Sequence, residues 1–364
     1  MDVTFSRLQI IFLLLLSLGI SNHVLVIPHL LRAAERDAWF SVLLAYPALI
    51  GWSVILYLII KSMRSLSFHQ WLKGRLGSVG LWIISGCIAL YLVAAGIMIV
   101  FDTTQNISIF FLPSTPEIVV ILSFIFLSYS AARSGLKTIV YMSTMLLPVV
   151  WMLGIGVSIM TRGSKDYGML HPFLKEGLGS ELFGGVVVFG GSMDLLVLLL
   201  IQHKVSKPLN YGSIIILLTL LVGLIMGPTV GSLTAFGPYQ AENMRFPAFE
   251  QWRLVMIGRQ ISHVDFLAAF QLMAGSVVRT ALMTHLMTEL IGGKSPKVRQ
   301  TVLLSSAVIF ALPSLLKVSD ISMQQVIHRY FYTFSLCFGV ALTAVLLTAS
   351  YIPRRRRGSN ESVT

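Results

Sequence analysis

Apolar runs of about 20 residues follow one another along nearly the whole chain with only short polar segments between them, and each is long enough to cross roughly 30 Å of hydrocarbon. The pattern predicts ten spans, near residues 8–31, 39–60, 80–101, 116–132, 138–160, 182–201, 213–236, 266–290, 301–316 and 330–352. No soluble domain fits between them. The reading is therefore an all-α integral membrane protein, with one transmembrane domain over 1–353 and a short basic tail at 354–364. Segment 62–78 differs in kind, because Met63, Leu66, Phe68, Trp71, Leu72 and Leu76 alternate with basic residues, as in a helix lying on the membrane surface.

Two spans break the pattern at mid-depth. The first carries Leu18-Gly19-Ile20-Ser21-Asn22-His23 with Pro28, and the sixth carries Phe189-Gly190-Gly191-Ser192-Met193-Asp194. Every backbone N–H and C=O must be satisfied in hydrocarbon, so a membrane helix that loosens there normally lines a cavity where a ligand replaces the missing partners. Breaks five spans apart predict a five-plus-five inverted repeat, with helices 1 and 6 broken and the repeats at about 8–160 and 182–352.

Composition agrees with a membrane protein. Of 364 residues 12% are charged, against about 25% in a soluble domain, and the mean hydropathy is +0.82. The net charge of +12 reflects topology, because 16 of the 27 lysines and arginines fall in cytoplasmic segments if both termini are cytoplasmic, 10 fall outside, and Arg279 sits within a span. Acids such as Glu35, Asp37, Asp102, Glu242 and Asp320 fall on the outer side. The excess cations thus face anionic headgroups, and nucleic acid is set aside as a partner. Arg7 precedes an apolar run with no small-residue cleavage site, which predicts an uncleaved first span. Cys87 and Cys337 lie in separate spans and suggest packing, with no disulfide or metal role.

Catalytic patterns fail on inspection. Gly293-Lys294-Ser295 lacks the opening glycine and preceding strand of a phosphate loop, and His285 with Glu289 lacks the second histidine of a zinc protease. No enzyme activity, metal or cofactor is expected. Asn106-Ile107-Ser108 is a glycosylation sequon by letter only, and Gly223, Gly227 and Gly231 around Pro228 suggest close helix packing with a kink.

The two interruptions carry the binding argument. A half-helix N-terminus suits a carboxylate and freed carbonyls suit an ammonium, so a free amino acid would fit both. The candidate binding set is Gly19, Ser21, Asn22, His23, Gly190, Gly191, Ser192 and Asp194, with glycines that serve only packing as the alternative. Asp194 would cost about 2.5–3.5 kcal/mol at the bilayer centre and so needs a cavity or a partner. Arg279, flanked by Gly275, Ser276 and Thr280, could replace a coupling cation, or the two could simply pair. His23 could contact ligand or be an ordinary hydrogen-bonded histidine.

Four stretches carry a family resemblance. The segment from Gln9 to Pro28 with Asp37-Ala38-Trp39, the segment from His171-Pro172 through Gly190-Gly191 to Asp194-Leu195-Leu196, and Arg245-Phe246-Pro247-Ala248-Phe249-Glu250 with Arg253, Gly258 and Asp265 resemble the B subunit of bacterial spore germinant receptors. This is the spore permease family of the amino acid/polyamine/organocation transporters, and Arg279 matches its basic residue in the eighth helix. The chain departs from the family pattern at Ser21, His23, His263 and Met273. The resemblance implies a leucine-transporter-like fold, an amino-acid-sized pocket between helices 1, 3, 6 and 8, a nutrient ligand, and assembly with A and C subunits in the spore inner membrane. An ion-coupled amino acid transporter is the competing expectation.

Overall fold

The computed structural model describes residues 4–172, 174, 177–256, 264–291 and 295–353. The tail 354–364, Gly258, His263, Gly293 and Lys294 lie outside the described residues. Helix α1 (Arg7–Ile20) opens on a reciprocal cap, in which Ser6 Oγ accepts from the Gln9 N–H and the Gln9 side chain accepts from the Ser6 N–H. It continues through a π-helical turn, Ser21–Leu25, into α2 (Val26–Ala34). Glu35, at φ 46°, then starts a 3-10 turn that leads the chain into α3 (Ala38–Met63).

Helix α4 (Phe68–Asn106) is two pieces joined at Gly77, whose φ of 74° is closed to most other residues. The first piece buries Phe68, Trp71 and Leu72, the apolar side expected of the surface segment. A π turn, Ile107–Phe111, precedes α5 (Glu117–Arg133) and α6 (Leu136–Met160). Helix α7 (Gly179–Ser192) winds into a 3-10 run, Met193–Leu196, and on into α8 (Val197–Ile201). After α9 (Tyr211–Phe236), the short helices α10 (Pro238–Asn243) and α11 (Pro247–Glu250) form an outer segment. Helices α12 (Phe266–Ile291), α13 (Pro296–Leu315), α14 (Asp320–Val326) and α15 (Tyr332–Tyr351) complete the bundle.

Eight helical stretches of the described residues are long and apolar enough to cross a membrane. Over its most apolar window the Gly179–Lys204 stretch is 83% buried, whereas Leu136–Met160 is only 17% buried, so the former is core and the latter shell. Helix α7 packs on α2, α3 and α15, while α1 packs on α6, α9 and α12.

The expected breaks in helices 1 and 6 take a milder form. Neither opens into extended chain; each changes winding, to π at Ser21–Leu25 and to 3-10 at Met193–Leu196. Altered winding keeps backbone donors and acceptors paired where water is absent. Cys87 and Cys337, expected to pack, are both exposed on the outside of the bundle. Asn106 of the sequon is 1% exposed.

Candidate functional site

A polar junction sits where α1, α4, α12, α15 and the 3-10 run after α7 meet. Arg279 Nη2 donates to Asp194 Oδ2 at 2.5 Å, Arg279 Nη1 donates to the Ser17 carbonyl at 3.3 Å, and Tyr91 OH donates to Asp194 Oδ1 at 2.7 Å. Ser335 lies 3.1 Å from Tyr91 OH and donates to the Gly190 carbonyl at 2.7 Å. Arg279 is 1% and Asp194 4% exposed, so a charge left without its partner would be stranded. The two residues singled out by their cost in hydrocarbon therefore solve it together. Tyr91 and Ser335 are partners that sequence reasoning missed, since neither type is unusual in a membrane helix.

Beside this junction lies a cavity of about 410 Å3, within the roughly 300–1,000 Å3 of ligand pockets. Gly19, Ile20 and His23 form one wall, α6 and α9 the next two, and Gln251, Gln271 and Gly275 the rest. Gly19 and Gly275 let the walls pack closely: a Cβ on Gly19 would stand 2.9 Å from Leu224 Cδ1, and one on Gly275 2.9 Å from Ile20 Cβ. Pro228 has no N–H for the carbonyl four residues back, which frees Leu224 C=O, and the His23 imidazole hydrogen-bonds the Leu224 backbone. His23 Nδ1 and Gln271 Oε1 have no partner. They are buried, unpartnered polar atoms on two residues that line an otherwise apolar chamber.

The predicted binding residues thus divide. Gly19 and His23 border the cavity, and Ser21 and Asn22 share their turn, with Asn22 Nδ2 3.5 Å from the Leu221 carbonyl. Gly190, Gly191, Ser192 and Asp194 do not border it. A Cβ on Gly190 would fall 2.2 Å from the Tyr332 carbonyl oxygen and one on Gly191 2.6 Å from Val26 Cγ2, so these glycines permit close packing. Ser192 Oγ donates to its own helix at Val188, 2.8 Å away. Tyr332 OH also donates to the Leu25 carbonyl at 3.1 Å, so the α15 side of the π turn is already satisfied. The cavity accordingly lies among helices 1, 5, 7 and 8, counted by span, rather than 1, 3, 6 and 8.

Where α4, α14 and the loop before α11 meet, Arg245 ties three elements. It pairs with Asp102 of α4 and with Asp320 at the start of α14, 3.0 Å away, and its guanidinium lies 4.2 Å from the centre of the Phe246 ring. Gln324 Nε2 also donates to Asp102 Oδ1 at 2.9 Å. The nearby α10 carries Glu242, whose carboxyl is pushed up from its ordinary range by burial and by the neighbouring Glu35. This outer segment caps the α1 region, since α10 packs on α2 and α11 on the π turn.

A family model described as spore germination protein matches residues 4–321. This chain belongs to that family. It is 31% identical to spore germination protein XB of Bacillus anthracis over 339 residues, covering 93% of this chain and 95% of that one. It is 27% identical to spore germination protein YfkT of Bacillus subtilis (strain 168) over 238 residues, 65% of this chain and 64% of the other. The transporter Mhp1, in its inward-facing conformation, superposes with a TM-score of 0.52 at 16% identity, covering 94% of this chain and 77% of that one. Family, apolar helices and fold together make this germination protein an integral membrane protein with an Mhp1-like helical bundle.

Proposed function

We propose that this chain is the nutrient-sensing subunit of a spore germinant receptor. A small solute binds in the cavity against the π turn of the first span, and the polar junction passes the change to partner subunits. The observation that supports this most directly is the coincidence of three features: a helix that changes winding at Ser21–Leu25, a cavity along it, and two residues lining that cavity, each with a buried polar atom that has no partner. Partners of the A and C type, the spore inner membrane and cytoplasmic termini belong to the same reading.

The ten-span topology is part of the proposal. The 57-residue Arg7–Met63 stretch would be about 86 Å long if straight, at 1.5 Å per residue, so it counts as two crossings, and the 17-residue α5 adds one more. A five-plus-five repeat with hinges at the two winding changes follows. The nutrient is an amino acid in this reading, its ammonium facing His23 Nδ1 and Gln271 Oε1. Spores carrying this receptor, scored for germination against an amino acid panel, test it: a saturable response lost in Gln271→Leu at normal protein level supports the site, and a response unchanged in Gln271→Leu overturns it.

The likeness to Mhp1 favours one other reading, ion-coupled transport of the same solute. Uptake of labelled solute by vesicles containing the chain alone, driven by a proton or sodium gradient, would establish it.

A further inference from the structure

Two walls of the cavity barely meet. Helices α6 and α9 each pack on α1 but hardly touch one another. Ile155 and Ile159 at the mouth are 57% and 67% exposed, on a stretch that meets hydrocarbon. Across from them Thr219, Gly223 and Gly227 recur every four residues along one face of α9, and a Cβ on either glycine would meet nothing within 4 Å. These glycines therefore do not bring helices together; they keep an opening clear.

The interior narrows the chemistry. None of the lining residues is Asp, Glu, Lys or Arg, and the lining is mostly aliphatic. Deep inside, Gln271 is 5% exposed, its Nε2 donates to the Val150 carbonyl at 3.4 Å, and its Oε1 is left as an acceptor with no donor. His23 Nδ1 is the second such atom. An unpaired buried acceptor costs about 1–3 kcal/mol, a guest with a net charge would find no counter-charge, as a zwitterion or a neutral molecule would not need one, and a plain hydrocarbon chain would leave both acceptors unmet.

We infer that the gap between α6 and α9 is a lateral portal through which the cavity takes uncharged amphiphiles, an aliphatic body with one hydrogen-bond donor, directly from the bilayer. This rests on reading the cavity as a ligand pocket, and it adds a second ligand class and a second route to the water-borne nutrient. The donor of the guest meets Gln271 Oε1 while its body fills the space between α1, α6 and α9.

The test uses the full chain in lipid nanodiscs and a trifluoromethyl-tagged six-carbon alcohol followed by fluorine NMR, beside the matched fluoroalkane without the hydroxyl. Expected are saturable alcohol binding, at least tenfold weaker binding when the mouth is filled by Gly223→Leu with Gly227→Leu, and a similar weakening by Gln271→Leu that the alkane does not show. Ile155→Trp closes the mouth from the opposite helix should the glycine variant fail to fold. Uptake that never saturates, equal binding after the mouth is filled, or an alcohol that cannot displace lipid chains from the cavity overturns the portal. Nutrient binding with no alcohol binding removes this inference alone. Alcohol binding with no nutrient binding at any concentration leaves it standing and removes the nutrient reading.

Discussion

Arg279 Nη2 lies 2.5 Å from Asp194 Oδ2, and the two residues come from helices 85 positions apart in sequence. Through Ser17, Tyr91 and Ser335 this contact touches three further helices, so the only buried carboxylate–guanidinium pair this deep among the described residues is also where five elements meet. A device of that kind reports on all of them at once.

Breaking this pair from one side is expected to be worse than removing it. Asp194→Asn or Arg279→Gln each strands a charge and should cost about 3–5 kcal/mol, whereas the double variant should lose clearly less than the sum. Thermal unfolding of all four proteins in one detergent measures this, and strict additivity would show that the two side chains are independent. Both single variants should also abolish the nutrient response at normal protein level.

Arg245 is expected to hold the outer segment down. Arg245→Gln leaves Asp102, 1% exposed, without its cation, and amide exchange across 238–254 should speed up at least tenfold. Arg245→Lys should fall between, because a lysine ammonium cannot bridge Asp102 and Asp320 as a planar guanidinium does. Unchanged exchange in Arg245→Gln would mean that the contacts of α10 and α11 suffice alone.

Glycines alike in sequence should behave oppositely. Gly190→Ala drives a methyl to 2.2 Å from the Tyr332 carbonyl oxygen and should cost 1–3 kcal/mol or more, while Gly223→Ala meets nothing and should stay within about 0.5 kcal/mol of the parent. Unfolding midpoints compared side by side decide the matter; equal losses at both positions would contradict the packing described.

Topology can be read with single cysteines in a background where Cys87 and Cys337 are replaced by alanine. Tyr239→Cys, at a position 79% exposed, should react with an impermeant maleimide from outside, and Lys73→Cys only after permeabilisation. The reverse labelling would invert the whole assignment.

Much of this was legible in the sequence, and the limits are physical. Hydropathy located the spans, and the cost of charge in hydrocarbon singled out Asp194 and Arg279, because both signals are properties of one residue in its solvent. The small polar run at 18–23 marked where the first helix changes winding. Which helices become neighbours is a property of the packed bundle, so the cavity described lies among helices 1, 5, 7 and 8, whereas the resemblance implies a pocket between 1, 3, 6 and 8. Glycine is ambiguous for the same reason: Gly190 and Gly191 let backbones approach, while Gly223 and Gly227, expected to pack, border open space. Gln271 gave no signal, since one amide in an apolar helix says nothing about whether its oxygen finds a donor.

The five-helix junction also constrains how the protein is made. Its members arrive in the order Ser17, Tyr91, Asp194, Arg279, Ser335. At about 5–20 residues per second, the 85 residues between the carboxylate and its cation take roughly 4–17 s to synthesise. Of the two side chains that Asp194 bonds in the finished junction, Tyr91 is the one already synthesised through that interval. A Tyr91→Phe variant is therefore expected to show its defect first as slow or failed insertion of the nascent chain, before the ion partner of Asp194 emerges from the ribosome.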